Sequence, residues 1–262
     1  MGLKTINIME EKWDYLIILD ACRVDYFEHY NRIEGTLKTV LSNAPSTGLW
    51  RIRTFTKEYY EDVIYVSGNP FLSEYFFVNK EGRDKVPFFI LDEVWSYDWN
   101  DEWNTVLPDK ITNATIELIR QFPNKRMIIH YMQPHHPFLS LGKTKHYDRG
   151  LAREYYEIKG VLTAREETER MKPIIYNMLS QGAVSEEEVR EGYRNNLILV
   201  LQEVEKLIEF IPKDKLIVIT SDHSEYLGFS HEDCPKAYGH SHEFDGFVDC
   251  KKVPWFVVDR NA

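Results

Sequence analysis

The sequence predicts an α/β layered fold built on a mostly parallel central sheet. Three observations carry this expectation. Short apolar runs recur along the chain and alternate with stretches of helical period. The most apolar of these runs have no polar face, as strands covered by helices on both sides require. The conspicuous polar residues fall just past the C-terminal ends of the runs, the edge at which open α/β sheets bind ligands.

The elements follow in order. Tyr15 to Leu19 (YLIIL) is a buried strand that ends at Asp20, and ACRVDYFEHY after it reads as a short helix. LSNAPSTGLW holds the turn residues Asn43 and Pro45, then Ser46 and Thr47, both good helix N-caps, so a helix is expected from about Gly48. Asp62 to Ser67 (DVIYVS) is a strand stopped by Gly68, Asn69 and Pro70. Residues 86–95 (VPFFILDEVW) form a further strand, placed at an edge by Pro87. Ile111 to Phe122 has helical period, and Arg126 to Tyr131 (RMIIHY) is a strand that runs into the loop MQPHHPF. Residues 150–180 are charged, Tyr-rich and helical in character. Glu186 to Phe210 is a long amphipathic helix with Ser185 as N-cap and Pro212 beyond its end. Leu216 to Thr220 (LIVIT) is a buried strand entering SDHSEYLG, and Val253 to Val258 (VPWFVV) is the last strand. With no internal repeat or linker, residues 1–262 read as a single domain, with a helical insert at about 140–185.

The chain has 262 residues, of which 43% are hydrophobic and 28% charged, enough for a sizeable core and a solvated surface. The formal net charge of −10 argues against nucleic acid as the partner, because phosphate backbones call for clustered Lys and Arg. An anionic substrate would then need a local reversal of sign, and a bound cation supplies one. Cys22, Cys234 and Cys250 make no C-x-x-C pair and no complete disulfide framework. The N-terminal MGLKTINIMEEKWD has no apolar signal core, and no apolar run approaches the ~20 residues that span a bilayer. These features set the expectation of a cytoplasmic chain with no membrane span; an oligomer of identical chains is left open.

Three constellations could carry chemistry. Asp20, at the end of one strand, and Asp222 with His223, at the end of another, can converge on one divalent ion; carboxylate and imidazole donors suit Mn or Zn and suit Ca less. The same aspartates could equally serve as turn or capping residues. Ser46 and Thr47 could be plain capping hydroxyls, or one could be a nucleophile activated beside a metal. His130, His135, His136, His240 and His242 gather in HYMQPHHPF and YGHSHEF; such clusters suit metal binding or proton transfer, while His130, on a strand, suits a structural role.

Taken together, these segments resemble a family. YLIILDACRVDYF is similar to the opening strand of sulfatase-like members of the alkaline phosphatase superfamily, LSNAPSTGLWRIRTF to their nucleophile segment, and DVIYVSGNPF to a strand-turn of prokaryotic sulfatase-like proteins. HYMQPHHPF resembles their P-H-x-P-[YF] loop, VITSDHSEYLG their T-S-D-H-G-E-x-L-G, and YGHSHEF with VPWFVV their Gly-His element and following strand. The set spans residues 14–258 in the family's order. The resemblance implies an alkaline phosphatase-like three-layer sandwich. It implies metal ligation by Asp20, Asp222, His223 and Thr47, with Thr47 as nucleophile and Ser46 as its alternative. It implies substrate-facing roles for His135 and His240, with His242 as the alternative to His240.

The expected cofactor is a divalent metal ion (Mn, Zn, Mg or Ca), one ion with a second left open. The expected substrate is a small anionic ester, and the expected activity is phosphoester hydrolysis or transfer through a covalent phosphothreonine. Alternatives are a sulfatase or phosphonate hydrolase of relaxed specificity, or a binding protein that keeps the fold. The nucleophile segment lacks the Cys and the C-x-P-x-R pattern of sulfatases. Gln133 stands where two-metal members add an Asp, and Ser224 stands for the Gly of SDHGE.

Overall fold

The computed structural model describes residues 2–142, 157–160, 175–228 and 237–260, with side chains left out at 175–177. The strands are β1 (Tyr15–Leu19), β2 (Gly35–Leu41), β3 (Tyr60–Ser67), β4 (Phe88–Glu93), β5 (Trp99–Asn100), β6 (Thr105–Val106), β7 (Arg126–Tyr131), β8 (Ile217–Thr220), β9 (Tyr226–Leu227), β10 (Tyr238–Gly239) and β11 (Lys252–Val258). The helices are α1 (Val24–Tyr30), α2 (Thr47–Thr54), α3 (Pro108–Gln121), α4 (Ile175–Ser180) and α5 (Glu186–Phe210), with a π-helical turn at Tyr75–Lys80.

Seven strands form the central sheet in the order β2-β11-β8-β1-β7-β3-β4. The five from β8 to β4 run parallel, while β11 is antiparallel to both β8 and β2. Every residue of β1, the middle strand, is buried, which accounts for its unbroken apolar sequence. Because side chains alternate across a strand, the sheet feeds two cores. Ile17, Leu19, Ile129 and Ile219 pack with residues of α1, α3 and α5 on one face. Leu16, Ile18, Ile128 and Val218 pack with Trp50, Phe55 and Phe77 on the other. The result is the three-layer sandwich implied by the motifs.

The long helix α5 begins in a reciprocal cap: Ser185 Oγ accepts from the Glu188 amide, and Glu188 Oε2 accepts from the Ser185 amide. Its buried stripe of Val189, Tyr193, Leu197, Val200, Val204 and Leu207 has helical spacing. Helix α3 starts on Pro108, whose missing N–H costs nothing at that position. β4 pairs only with β3 and begins one residue past Pro87, the edge place that the proline implies.

Several elements differ from the sequence reading: the short strands β5, β6, β9 and β10 and the π-helical turn at Tyr75–Lys80 were not expected. β2 was not among the expected strands; its residues are exposed or half-buried except Val40, as an edge strand's can be, and at its end Leu41 also bridges to Thr5. The final strand turns back against the parallel set. Most of the insert expected at about 140–185, and Cys234, lie outside the described residues; Cys22 and Cys250 are buried thiols.

Candidate active site

The polar residues at the C-terminal ends of β1 and β8 meet. Asp20, one residue past β1, is 1% exposed; Asp222 and His223, past β8, are fully buried. Register brings them together, because Ile18 of β1 lies opposite Thr220 of β8 and His130 of β7. Ala21 adopts a left-handed conformation (φ 59°), and its amide donates to Asp222 Oδ1 at 3.2 Å. A non-glycine residue in that region is a local strain that the surrounding packing holds in place.

Helix α2 delivers Thr47. Ser46 occupies the N-cap position but makes no capping bond with its side chain, while Thr47 Oγ1 donates to Asp222 Oδ2 at 2.7 Å and lies 3.3 Å from His223 Nε2. It is therefore the Thr47 hydroxyl, on a side chain 6% exposed, that reaches Asp222 and His223.

The protonation pattern at the centre is informative. Burial, stronger here than the opposing charge of Asp222, lowers the His223 pKa, so the ring is neutral. Its one N–H, at Nδ1, donates to the Ser224 carbonyl at 2.8 Å. Nε2 is left with a lone pair that faces Asp222 Oδ2 at 3.4 Å and Asp20 Oδ1 at 3.6 Å. Asp20 Oδ1 is buried and accepts no hydrogen bond among the described residues. Burial alone would raise the Asp20 carboxyl, but His130, whose Nε2 lies 3.3 Å from Oδ2, and the nearby His135 and His223 outweigh it and hold the acid well below the usual range. Two carboxyl groups and an imidazole lone pair thus converge beside the Thr47 hydroxyl. The donor types and their convergence fit a divalent cation.

A second cluster adjoins the first. The His240 ring lies 4.1 Å from that of His223 and 5.0 Å from that of His135, centre to centre. Glu225 Oε2 is 3.0 Å from His240 Nδ1. Burial would lower the His240 pKa, but the Glu225 carboxylate outweighs it and raises it to about 9. His240 reciprocally lowers the Glu225 acid against its burial. His135 donates from Nδ1 to the His136 carbonyl at 2.5 Å, and the two rings stack at 4.1 Å. His135, His136 and Glu225 offer donor atoms within 4.8 Å of one another, a possible set for a further ion. His242 is exposed, in the turn after His240.

Four residues near these clusters escaped the sequence reading. Glu225 stands two positions after His223 in the same motif, so the strand-end rule could have included it. Asn69 donates from Nδ2 to Asp20 Oδ2 at 2.6 Å, and it too lies past a strand end. Asn196, on α5, donates to the carbonyls of His135 (3.0 Å) and Pro137 (2.9 Å) and accepts from the Leu139 amide (3.0 Å), so it shapes the loop that carries His135. Tyr65 reaches His130 Nδ1 at 2.8 Å. Neither Asn196 nor Tyr65 carries a local signal. The two departures from the family pattern are accommodated: Ser224 is not at positive φ and needs no glycine, and Gln133 donates to the Val106 carbonyl.

No family model matches the chain, and no curated protein matches it in sequence. Solved structures do. The integral membrane lipooligosaccharide phosphoethanolamine transferase A of Neisseria meningitidis aligns over 98% of this chain and 51% of its own, with a TM-score of 0.56 and 14% identity. The C-terminal periplasmic domain of the Escherichia coli protein EptC, solved with Zn, aligns over 95% of this chain and 73% of its own, at TM-score 0.55 and 12% identity. The corresponding periplasmic domain of a Campylobacter jejuni phosphoethanolamine transferase aligns over 98% and 82%, at TM-score 0.51 and 14% identity. The chain has the alkaline phosphatase-like fold. It spans about half of the membrane transferase, and at these identities the alkaline phosphatase-like fold is what the likeness shows. No described helix is long and apolar enough to cross a membrane. The cytoplasmic expectation gains no support, since two of these structures are periplasmic domains of their proteins.

Proposed function

We propose that the protein is a metal-dependent hydrolase or transferase acting on phosphoesters through a covalent phosphothreonine at Thr47. The observation that carries this reading is the convergence of the Asp20 and Asp222 carboxylates and the His223 Nε2 lone pair beside the Thr47 hydroxyl, 2.7 Å from Asp222. Asp20, Asp222, His223 and Thr47 would hold the ion. When bound, it would supply positive charge against a substrate oxygen and lower the pKa of the hydroxyl.

The chain's own residues divide the remaining work. Thr47 Oγ1 gives its proton to solvent water and attacks phosphorus; the O–P bond to Thr47 forms as the bond to the ester oxygen breaks. His240, held by Glu225, donates a proton to the departing oxygen, and His135 binds a non-bridging oxygen. A water or an alcohol then attacks phosphorus and its proton passes to the vacated His240; the bond from phosphorus to Thr47 Oγ1 breaks, and Thr47 takes back a proton from solvent. The choice between water and alcohol separates hydrolysis from transfer. Because the similar solved structures include phosphoethanolamine transferases, phosphodiester donors belong in the substrate panel beside monoesters, phosphonates and sulfates.

Thr47→Ala tests the reading. Turnover of the best phosphoester in that panel, measured at saturating metal, should fall by at least about 1,000-fold, while thermal unfolding of the metal-free protein stays as in the unaltered protein. Undiminished turnover would reject Thr47 as nucleophile.

A further inference from the structure

Asp20 has two oxygens in unlike surroundings. Oδ1 faces His223 Nε2 at 3.6 Å and accepts nothing among the described residues. Oδ2 accepts from Asn69 Nδ2 at 2.6 Å and lies 3.3 Å from His130 Nε2. The Asn69 amide has no freedom to turn over, because its Oδ1 accepts from the Phe71 amide at 2.9 Å. Behind His130 stands Tyr65, its hydroxyl 2.8 Å from Nδ1, and both residues are fully buried. They belong to neighbouring parallel strands, where His130 of β7 lies opposite Ser67, two residues past Tyr65 on the same face of β3.

The proton pattern along this line has one consistent solution. A carboxylate only accepts, so the His130 proton belongs on Nε2, toward Asp20. Nδ1 is then an acceptor, and the Tyr65 hydroxyl donates to it. Burial, then Asp222 and Asp20, push the Tyr65 phenol well above its ordinary value, so it keeps the proton it donates. Replacing this donor with a ring hydrogen would leave Nδ1 a buried acceptor without the hydroxyl that now anchors it, so the ring would be held less firmly against Oδ2.

We propose that Tyr65 and His130 act as positioning residues that set the affinity of the metal site. Asn69 holds Asp20 Oδ2 by its hydrogen bond, and His130, braced by Tyr65, stands 3.3 Å from the same oxygen, so that Oδ1 is the oxygen left to the ion. The inference rests on the metal reading above and extends it to two residues outside the ligand set. His130 also lies within 4.8 Å of donor atoms of Asp20 and Asp222, so direct ligation is the competing role. The Tyr65 contact decides between them: removing a distant hydroxyl disturbs a positioned histidine, whereas a histidine bound to the ion is held by the ion itself.

The test is Zn²⁺ alone, titrated into the full chain against a chromophoric chelator, for the unaltered protein and for Tyr65→Phe, His130→Gln, His130→Phe and Asp222→Asn. Thermal unfolding of each metal-free protein checks the fold. His130→Phe should weaken Zn²⁺ binding by about 10- to 100-fold and Tyr65→Phe by about 10-fold. His130→Gln should stay within about threefold of the unaltered protein, because its amide nitrogen can donate to Oδ2 in place of Nε2. Unchanged affinity in both Tyr65→Phe and His130→Phe, with loss in Asp222→Asn, overturns the positioning role and leaves the metal reading standing. A large loss in His130→Gln with none in Tyr65→Phe makes His130 a ligand and also overturns it. No Zn²⁺ binding by the unaltered protein removes the metal reading, and this inference falls with it. If His130→Phe does not fold, Tyr65→Phe, which differs by one oxygen, decides alone.

Discussion

At Asp222 two demands meet in one carboxylate: Oδ1 accepts the strained Ala21 amide, and Oδ2 accepts the Thr47 hydroxyl. Asn in its place keeps the shape and one acceptor oxygen but loses the charge. Asp222→Asn should therefore bind metal at least about 10-fold more weakly, read by elemental analysis after gel filtration, with full occupancy arguing against its role as ligand. The residue scale also explains why Thr47 and Ser46 are so unequal in space. Ser46 has extended backbone at the cap, whereas Thr47 is the first helical residue, and its side chain turns to the strand ends. In sequence the two hydroxyls are adjacent and chemically equivalent; the helix start separates them.

At the scale of elements, α5 and α2 each brace one side of the site. Helix α5 carries Asn196 into the loop 134–139, and Gly192 beside it lets Phe138 approach so closely that a Cβ there would lie 2.7 Å from the Phe138 side chain. Asn196→Asp would turn a carboxylate on the His135 and Pro137 carbonyls. The expected cost is about 1–3 kcal/mol in denaturant unfolding, together with a fall in kcat as His135 loses its place. A stability loss with unchanged kcat would show that the loop holds its shape without Asn196.

Helix α2 is tied to the turn beyond His240 by Arg53, which donates to both oxygens of Asp245 at 2.8 Å. The Arg53 hydrogen bond, against a smaller effect of burial, lowers the Asp245 acid. A lowered carboxylate stabilises the fold above its ordinary value and loses that contribution as pH falls through the lowered one. Both partners are more than a third exposed, so the pair contributes under about 1 kcal/mol. Arg53→Met should accordingly lower the Tm slightly at pH 7, and the difference should vanish well below about pH 4, the ordinary Asp range. A difference that persists at pH 2 would assign the effect to packing of the Arg stem.

For the whole molecule, the metal reading ties stability to metal concentration. An ion that binds the folded chain and not the unfolded one adds about 2.7 kcal/mol at 100 times its Kd. Zn²⁺ at that level should raise the Tm and EDTA should reverse the shift; a Tm indifferent to both would favour a binding protein that keeps the fold without the ion. The parallel order of β8-β1-β7 is what makes such linkage possible. It brings the C-terminal ends of three strands, about 200 residues apart in the chain from Asp20 to Asp222, to one edge.

The sequence by itself determined the layered α/β class, six of the seven strands of the central sheet, the bounds of α5, and the polar residues at the strand ends. These are local properties: apolar period, capping residues and turn chemistry are written in consecutive positions. Only the tertiary structure decided that Asp20, Thr47, Asp222 and His223 lie together, that Thr47 rather than Ser46 reaches Asp222, and that His240 rather than His242 faces His223. It alone brought Tyr65, Asn69, His130, Asn196 and Glu225 into the same neighbourhood. β2 and the reversal of β11 were hidden for the same reason. Pairing partners, strand direction and side-chain contacts depend on which distant segments share a hydrogen-bonded edge, and no stretch of consecutive residues encodes that.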